Sequence, residues 1–410
     1  MKFFMCLVLL LLSTSQGYCL LVQGQKLSPP DTSQKKDNAT PTIQIKYGNK
    51  GWEFSTTDGH NKLQVQSRLQ FRFAHPTDTD PISFDDFDDQ RQNIFKVNRA
   101  RLKIGGNVYQ QWLKFYWEYE LASTNLLDFQ MMIEKYPALS FRVGQWKARY
   151  SRERIISSGK QQLVDRSLIN RPFTLDRQQG ISLYGHLKGR NLVNINYWFE
   201  ILTGTGRGSK FNDDRHFMYV FRTQWNVLNG GVRFEGSDLD YHDKPVSSVT
   251  LAVTTNRSPY TRFSQTGGGQ LEGFEEGQPG QYRVNQWMAE TAFMVKGFSW
   301  QQEFHWKQID DNVNRSITTL LGNYLQFGYF FHYWLTWFPK PLEIAFRQSW
   351  YRPDSNLSQN DQFEYSLDIN WFFKDHLNKL TAEISLFDFK VTPQNQRDGW
   401  RFRIQWDISM

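Results

Sequence analysis

The feature that most constrains this chain is a two-residue alternation of apolar and polar side chains, which is clearest at the C-terminus. From Trp400 to Met410 every second residue is apolar, and the positions between them hold arginine, glutamine, aspartate or serine. Successive side chains of a β-strand point to opposite faces, so this pattern predicts a strand with one apolar face and one polar face. Such a strand fits between an apolar and a polar environment.

The same alternation recurs in sixteen segments from residue 61 onward. The connections mostly alternate between short turns and longer loops, although the turn over 228–246 is long where a short one is expected. An even strand number, with short turns at one end and long loops at the other, is typical of bacterial outer-membrane barrels. We therefore predict an all-β fold, a 16-stranded antiparallel transmembrane β-barrel with both termini in the periplasm. The predicted strands are 61–74, 93–107, 111–122, 127–135, 139–147, 179–188, 190–202, 214–227, 247–256, 284–296, 298–308, 318–333, 342–352, 361–373, 379–390 and 399–410.

An alternative is a soluble exported β-protein, such as a glycan-binding sandwich, which would also show alternation and aromatic residues. Most of the predicted strands are longer than sandwich strands usually are, and they match the length of a tilted strand that crosses a membrane. Tryptophans such as Trp112, Trp337 and Trp400 lie near predicted strand ends, as expected for interfacial girdles. After the N-terminus there is no run of about 18 apolar residues, which argues against membrane-spanning helices. The barrel is therefore the favoured fold.

The N-terminus predicts export. Lys2 precedes an uncharged apolar stretch over 3–12, which is too short to span a bilayer but typical of a signal peptide. We predict a signal peptide over 1–24, a periplasmic N-terminal linker over 25–58, and the barrel over 59–410. Both cysteines, Cys6 and Cys19, lie in the predicted signal peptide.

A group of cations in the second predicted strand indicates how the barrel interior is used. Arg99, Arg101 and Lys103 occupy alternate positions, so they share one face of the strand. Each would cost about 2–4 kcal/mol near the middle of a lipid bilayer, so we expect all three to face the lumen. There they could form a ladder that replaces the water around a passing anion, or they could pair with Glu118 and Glu120 of the next strand.

The loop over 148–178 is also basic, with seven basic and three acidic residues and a net charge of +4. A loop of this length either covers the mouth of the barrel or folds inward and narrows the pore, and arginine is well suited to bind phosphate oxygens. The alternative is a solvated loop that contributes to subunit contacts. A cluster of aspartates between Asp78 and Asp89 predicts a solvated external loop. The candidate constriction cations are Arg149, Arg152, Arg154, Lys160 and Arg166.

No known catalytic motif is present. The sequence lacks Gly-x-Ser-x-Gly, His-Glu-x-x-His and phosphate-binding glycine loops, and its eight histidines are scattered. We therefore predict that the protein is not an enzyme, with no catalytic residue, metal site or cofactor and no nucleic-acid partner.

Part of the chain resembles the phosphate-selective porin O and P family of outer-membrane channels. The resemblance covers about residues 95–190 and begins with the motif Asn98-Arg99-Ala100-Arg101. One departure is Met410, because such barrels usually end in an aromatic residue. The other matching pieces are 139–147, 150–151, 157–158, 165–168 and 177–181.

The resemblance implies a trimeric 16-stranded barrel whose fifth strand is followed by a loop folded inside as a constriction. It assigns that role to 148–178 and adds Arg142 and Lys147 to Arg99 and Arg101 in a basic pore lining. The predicted function is passive diffusion of small anions, with phosphate or polyphosphate favoured, across the bacterial outer membrane by a homotrimer in contact with lipid. The alternatives are a general or saccharide-passing porin and the soluble glycan-binding protein.

Overall fold

The computed structural model describes residues 42–410, except for 83–85, 87–92, 191–192, 210, 213–214, 265–267 and 393–394. The predicted signal peptide and the first part of the predicted linker lie outside these residues. No helix in the described part of the chain is long and apolar enough to cross a membrane. The strands are β1 (Ile43–Gly48), β2 (Gly51–Thr56), β3 (Lys62–His75), β4 (Ile94–Asn107), β5 (Leu113–Glu120), β6 (Asn125–Tyr136), β7 (Leu139–Lys147), β8 (Arg177–Lys188), β9 (Asn194–Leu202), β10 (Met218–Leu228), β11 (Val246–Ser258), β12 (Tyr282–Val295), β13 (Phe298–Asp311), β14 (Ser316–Tyr329), β15 (Leu342–Arg352), β16 (Gln362–Lys374), β17 (Asn378–Thr392) and β18 (Asn395–Ser409).

Strands β3 to β18 form a closed antiparallel barrel. Each strand pairs with the next along the chain, and β18 closes the barrel on β3, where Ser409 lies opposite Arg68. The predicted 16-stranded barrel is thereby confirmed, and each predicted segment overlaps one barrel strand. The strand ends differ from the predicted ones by up to four residues. For example, β14 stops at Tyr329, because Phe331–Tyr333 form a short 3-10 helix.

The two ends of the barrel carry different connections. The end at which β3 begins and β18 finishes also carries the brief turns after β4, β6, β8, β12 and β16, and we call it the short-turn end. The opposite end is the long-loop end. Two connections at the short-turn end are long, 229–245 and 330–341, and the first is the exception that the sequence predicted.

A small hairpin precedes the barrel within the segment predicted as a linker. Strands β1 and β2 pair with each other, and Trp52 of β2 lies opposite Val65 at the start of β3. Two residues further along β3, Ser67 exchanges backbone hydrogen bonds of 2.8 and 2.9 Å with Met410. The edge of β3 is therefore shared between β2 and β18. Strands of only six residues each are too short to stand out as alternation in the sequence.

Alternation sorts the barrel side chains as predicted. On β16, Leu367 and Ile369 are 45% and 47% exposed on the outer face, whereas Asp368 between them is fully buried inside. A bulge at Asn98 of β4 keeps this pattern in register, so Val97 and Leu102 face outward while Arg99 faces the lumen. The apolar outer surface and polar interior suit a barrel in lipid.

The barrel interior is partly filled by loops. The connection between β7 and β8 contains two short helices, Arg152–Ile155 and Asn170–Phe173. Its apolar residues, such as Phe173, join inward residues of β10 to β14 and Phe263 from the 259–281 loop in one buried cluster. This cluster explains why inward positions such as Met288 are apolar there.

We expect Gly144→Ala to destabilise the barrel. Gly144 has a φ of +129°, and a Cβ atom would lie 2.0 Å from the carbonyl oxygen of Phe129 on β6. The strained backbone alone should cost about 1–3 kcal/mol, which should lower the temperature at which the folded band disappears on a heat-modifiability gel. Gly48→Ala is the control, since its Cβ would meet no atom within 4 Å. Equal unfolding temperatures for the two variants would contradict this prediction.

Candidate functional site

Three cavities follow one another along the inner wall formed by β4 to β8. The long-loop cavity has a volume of about 390 Å³, the middle cavity about 190 Å³ and the short-turn cavity about 430 Å³. The first two share Arg101 and Lys147, and the last two share Tyr116 and Gln130. They therefore adjoin one another along this wall, and the middle cavity is the smallest of the three.

The charged residues that line these cavities are mostly basic. The long-loop cavity has eight basic and two acidic lining residues, and the middle cavity has five and two. Three lysines and no acidic residue line the short-turn cavity in the described part of the chain. The basic residues of the long-loop cavity are Lys96, Arg99, Arg101, Lys147, Arg154, Arg166, Arg177 and Arg207. Those of the middle cavity are Arg101, Lys103, Arg142, Lys147 and Arg149. Those of the short-turn cavity are Lys50, Lys62 and Lys114.

The predicted ladder faces the lumen, but its members differ in their partners. Arg101 is held between Glu118 at 2.8 Å and Glu120 at 2.7 Å. Arg99 donates to Gln70 at 2.8 Å and lies 3.5 Å from Asp165. Arg101 therefore shows the pairing that was the second alternative for this strand, and it also borders two of the cavities.

Lys103 and Lys147 are less compensated. Neither makes an ion pair within 4 Å among the described residues, and the Lys147 ammonium donates to the carbonyl oxygen of Ile156 at 3.2 Å. Lys103 borders the middle cavity, while Lys147 borders both the middle and the long-loop cavities. Both amino groups therefore lie at the narrow region without a paired carboxylate among the described residues.

Arg142 and Arg149 meet at one acidic residue. Glu200 on β9 accepts a hydrogen bond from the Arg142 guanidinium and another from the backbone amide of Arg149, both at 2.8 Å. The Nε atoms of both arginines are buried without a hydrogen-bond partner among the described residues. Arg142 also stacks on Trp146, 4.2 Å from the ring centre. Both guanidinium groups border the middle cavity.

Arg154 and Arg166 of the loop over 148–178 line the long-loop cavity. Arg154 donates to Asp176 at 3.1 Å, and Arg166 donates to the carbonyl oxygens of Glu153 and Ile156 at 3.1 and 3.0 Å. Burial lowers the pKa of Arg166 to about 9 and that of Arg149 to about 10. Both side chains therefore remain cationic at neutral pH.

Two of the predicted constriction cations do not border these cavities. Arg152 is fully buried and donates to the carbonyl oxygen of Val232 at 3.4 Å, with Glu290 at 3.7 Å. Lys160 pairs with Glu235. Both belong to the predicted loop, but their side chains hold it to other parts of the protein, because the loop turns them away from the β4 to β8 wall.

The same loop is attached to the opposite wall through its backbone. Carboxylates on the inner face accept from its amides: Glu364 from Leu168 at 2.7 Å, and Glu303 from Glu153 at 2.8 Å. The Lys379 ammonium donates to the carbonyl oxygen of Gln161 at 2.7 Å. The contacted side chains belong to β13, β16 and β17, so the loop lies against that half of the barrel.

A second contact region reaches the wall that carries the ladder. Arg68 on β3 donates to the hydroxyl of Ser157 at 2.9 Å, and Arg101 on β4 donates to that of Ser158 at 3.3 Å. The loop therefore contacts opposing walls of the barrel. The cavities along β4 to β8 are the space that it leaves on one side.

The connection 229–245 supports the loop from the short-turn end. The Gly236 amide donates to the carbonyl oxygen of Lys160 at 2.9 Å, and the Ser237 hydroxyl donates to Glu343 on β15 at 2.8 Å. Asp238 accepts from the Gly297 amide at 2.8 Å. This connection is long because it folds into the barrel instead of forming a simple turn.

Several lining cations were not among the predicted site residues. Arg177 begins β8 and pairs with Asp128 at 3.0 Å. Arg207 lies in a glycine-rich loop, between Gly206 and Gly208, where a single cation among glycines could have drawn attention. Lys62 and Lys114 occupy the short-turn ends of their strands, and nothing in their local sequence distinguishes them from ordinary strand-end lysines.

A closed barrel with an apolar outer face and a cation-rich interior defines a porin of the bacterial outer membrane. Residues 68–398 match the family described as phosphate-selective porin O and P, and the chain belongs to this family. The family and the fold indicate a channel rather than an enzyme.

Solved structures show the same fold. An anion-selective porin from Comamonas acidovorans aligns with a TM-score of 0.53 and 8% identity, over 85% of this chain and 99% of that chain. The outer membrane channel DcaP of Acinetobacter baumannii aligns with a TM-score of 0.55 and 9% identity, over 87% and 99%. The trimer form of OmpT, an outer membrane protein of Vibrio cholerae, aligns with a TM-score of 0.50 and 8% identity, over 85% and 99%. Comparison with curated proteins gives no match.

Proposed function

We propose that this porin passes small anions by passive diffusion along β4 to β8, and that phosphate or polyphosphate is the favoured solute. The observation that carries the proposal is that basic lining residues outnumber acidic ones in all three cavities. The difference is largest in the long-loop cavity, which has eight basic and two acidic lining residues. Membership of the phosphate-selective porin O and P family supports phosphate as the solute.

The channel would select anions because the lining cations replace, step by step, the water molecules around a passing anion. An anion that enters the long-loop cavity meets arginines, whose planar guanidinium groups bind two phosphate oxygens at once. It then passes Lys147, which borders both this cavity and the narrower one beyond it. Lys103 and Arg149, which both border the middle cavity, extend the positive lining through the narrow region. The loop over 148–178 would act as the constriction, because its residues contact opposing walls of the barrel.

We further propose that the protein assembles as a homotrimer. The similarity of its fold to OmpT in its trimer form supports this assembly. Cross-linking of the protein in outer membranes, followed by gel electrophoresis without heating, tests it: a trimer band is expected, and a monomer alone would contradict it.

Phosphate block of the chloride current tests the proposed solute. The purified protein is inserted into a planar bilayer in KCl, and phosphate is added while the single-channel current is recorded. Saturating block at low phosphate concentration is expected if phosphate binds in the cavities. Block by maltose or another neutral sugar, without block by phosphate, would instead favour a saccharide-passing porin.

Lys147→Gln should weaken phosphate block. Removal of an uncompensated charge next to the path should cost the bound anion about 1–2 kcal/mol, since two unit charges about 8 Å apart at an effective dielectric constant of about 20 interact by that amount. The phosphate concentration for half-block should therefore rise roughly tenfold. Lys160→Gln is the matched control, because Lys160 lies in the same loop but pairs with Glu235 away from the cavities. The same shift in both variants would contradict a local role for Lys147.

A further inference from the structure

The connection after β3 begins by folding against the inner wall of the barrel at the long-loop end. Asp78 is the third residue after the end of β3, and its side chain is only 6% exposed. Asp80, two residues further along, accepts from Arg401 of β18 at 2.7 Å. We call residues 76–82 the inward segment, because both of its carboxylates contact cations of the barrel wall.

Asp78 of the inward segment contacts three cations. Its carboxylate accepts from Arg72 of β3 at 3.0 Å and pairs with the Lys96 ammonium of β4, while Arg403 of β18 lies 3.8 Å away. Burial by itself would raise the pKa of Asp78, but Arg72 and Lys96 outweigh this effect and hold that pKa below its usual value. Asp78 is therefore an anion at neutral pH.

The three cations differ in their other partners. Arg72 also pairs with Asp165 at 3.1 Å, and Arg403 also pairs with a carboxylate of β17. Lys96 pairs with Asp78 and with no other carboxylate among the described residues, and its side chain is 43% exposed. Lys96 is therefore the cation whose charge depends most on Asp78 for compensation.

Lys96 connects this cluster to the proposed anion path. It lines the long-loop cavity together with Arg99, and it lies closer than Arg99 to the start of β4. Because β4 starts at the long-loop end, an anion that enters from this end meets Lys96 before it reaches Arg99 and Arg101. The carboxylate of Asp78 is therefore bound to the outermost β4 cation of the cavity lining.

We propose that Asp78 is a tethered anion, which competes with entering anions for the Lys96 ammonium at the long-loop mouth. This role rests on the anion path proposed above, and it sets the strength of the first contact on that path. A carboxylate and a phosphate accept the same charge-assisted hydrogen bonds, so the N–H groups that Asp78 holds are withdrawn from a passing anion. Conduction favours this arrangement, because an ion that binds too tightly at the entrance leaves it slowly.

Asp78→Asn tests this role, because it removes the charge and keeps an oxygen that can accept from Arg72. Single channels are recorded in a planar bilayer in KCl, and phosphate is added first to one side and then to the other. We expect the phosphate concentration for half-block to fall several-fold from one side, with longer individual blocks. Asp361→Asn is the matched control, since Asp361 pairs with Arg352 at 2.7 Å on the outer face of the barrel, away from the cavities.

The same substitution in a Lys96→Gln channel distinguishes competition for Lys96 from attraction at long range. If Asp78 acts by holding the Lys96 ammonium, Asp78→Asn should have little effect on half-block once that ammonium is absent. An equal gain in the Lys96→Gln channel would overturn the proposal, because it would come from the loss of a negative charge alone. A heat-modifiability gel shows that each variant has formed a folded barrel.

The permeability ratio of chloride to potassium gives a second readout that does not involve phosphate. Asp78→Asn should raise this ratio at low salt, and the rise should disappear in the Lys96→Gln channel. Absence of phosphate block in every channel would contradict phosphate as the solute, while the permeability ratio would still test the role of Asp78. An unchanged ratio in a folded Asp78→Asn channel, or the same rise in Asp361→Asn, would overturn that role.

Discussion

Replacement of Arg101 by alanine is expected to abolish most of the anion preference of the channel. Arg101 separates the long-loop and middle cavities and neutralises Glu118 and Glu120, which lie 2.8 and 2.7 Å away. Without the guanidinium, Glu120 keeps the Ala100 amide at 2.6 Å and Glu118 keeps the Tyr116 hydroxyl at 2.8 Å, but the path next to them loses one positive charge. A change of one unit charge about 8 Å from the path shifts the energy of an anion by about 1–2 kcal/mol, or roughly tenfold in its partition, before screening by salt.

The control for this variant removes the same cation together with its partners. In Arg101→Ala/Glu118→Gln/Glu120→Gln the cavities lose one positive and two negative charges, so anion preference should return to at least that of the unsubstituted channel. Reversal potentials of the two variants in a KCl gradient give the comparison. Equal reversal potentials would show that these carboxylates do not act on the permeating ions.

The largest effect on stability is expected from Glu364→Ala. Glu364 accepts from Arg347 at 3.2 Å, from the Leu168 amide at 2.7 Å and from two serine hydroxyls. Breaking a buried ion pair by removing one partner costs about 3–5 kcal/mol. Arg347 would stay buried, with Glu153 at 3.8 Å in place of its close partner. The heat-modifiability transition should move to lower temperature, and the loop should detach from the β16 wall, which would give a larger and noisier single-channel current.

Two further variants distinguish the effect of the Glu364 charge from the effect of its hydrogen bond to the loop. Glu364→Gln keeps an acceptor for the Leu168 amide and should leave the current close to that of the unsubstituted channel, although it loses the charge. Glu364→Ala/Arg347→Met removes both charges and should recover much of the lost stability. A quiet, unchanged current for Glu364→Ala would contradict the role of Glu364 in holding the loop.

The barrel was predictable because its physical signal is local. Each strand must be apolar on the lipid face and polar on the lumen face. The order of neighbouring residues such as Leu367 and Asp368 therefore indicates a strand and the direction of each side chain. The outward or inward direction of Arg99, Arg101 and Lys103 followed from the same rule. The resemblance of residues 95–190 to a known family added Arg142 and Lys147, which both border the middle cavity.

The interior contacts were not predictable because they join residues far apart in sequence. Asp78 was expected in a solvated loop, yet it is 6% exposed at its side chain and accepts from Arg72 at 3.0 Å. The acceptors of the loop amides, such as Glu364, come from strands about 200 residues further along the chain. Arg152 and Lys160 lie away from the cavities for the same reason, because both side chains bind residues of the long connection 229–245. The inward fold of this connection produces no periodic pattern in the sequence. Asp80 of the cluster also pairs with Arg401, at 2.7 Å, while Asp85, Asp88 and Asp89 lie outside the described residues.

The reversal potential of the unsubstituted channel in a KCl gradient tests the central claim most directly, because it reports which ion crosses the cavities along β4 to β8. The basic excess in all three cavities predicts a reversal potential close to the chloride equilibrium potential at low salt, moving toward zero as salt screens the lining charges. A reversal potential near that of potassium, or near zero at low salt, would contradict a path lined by these cations.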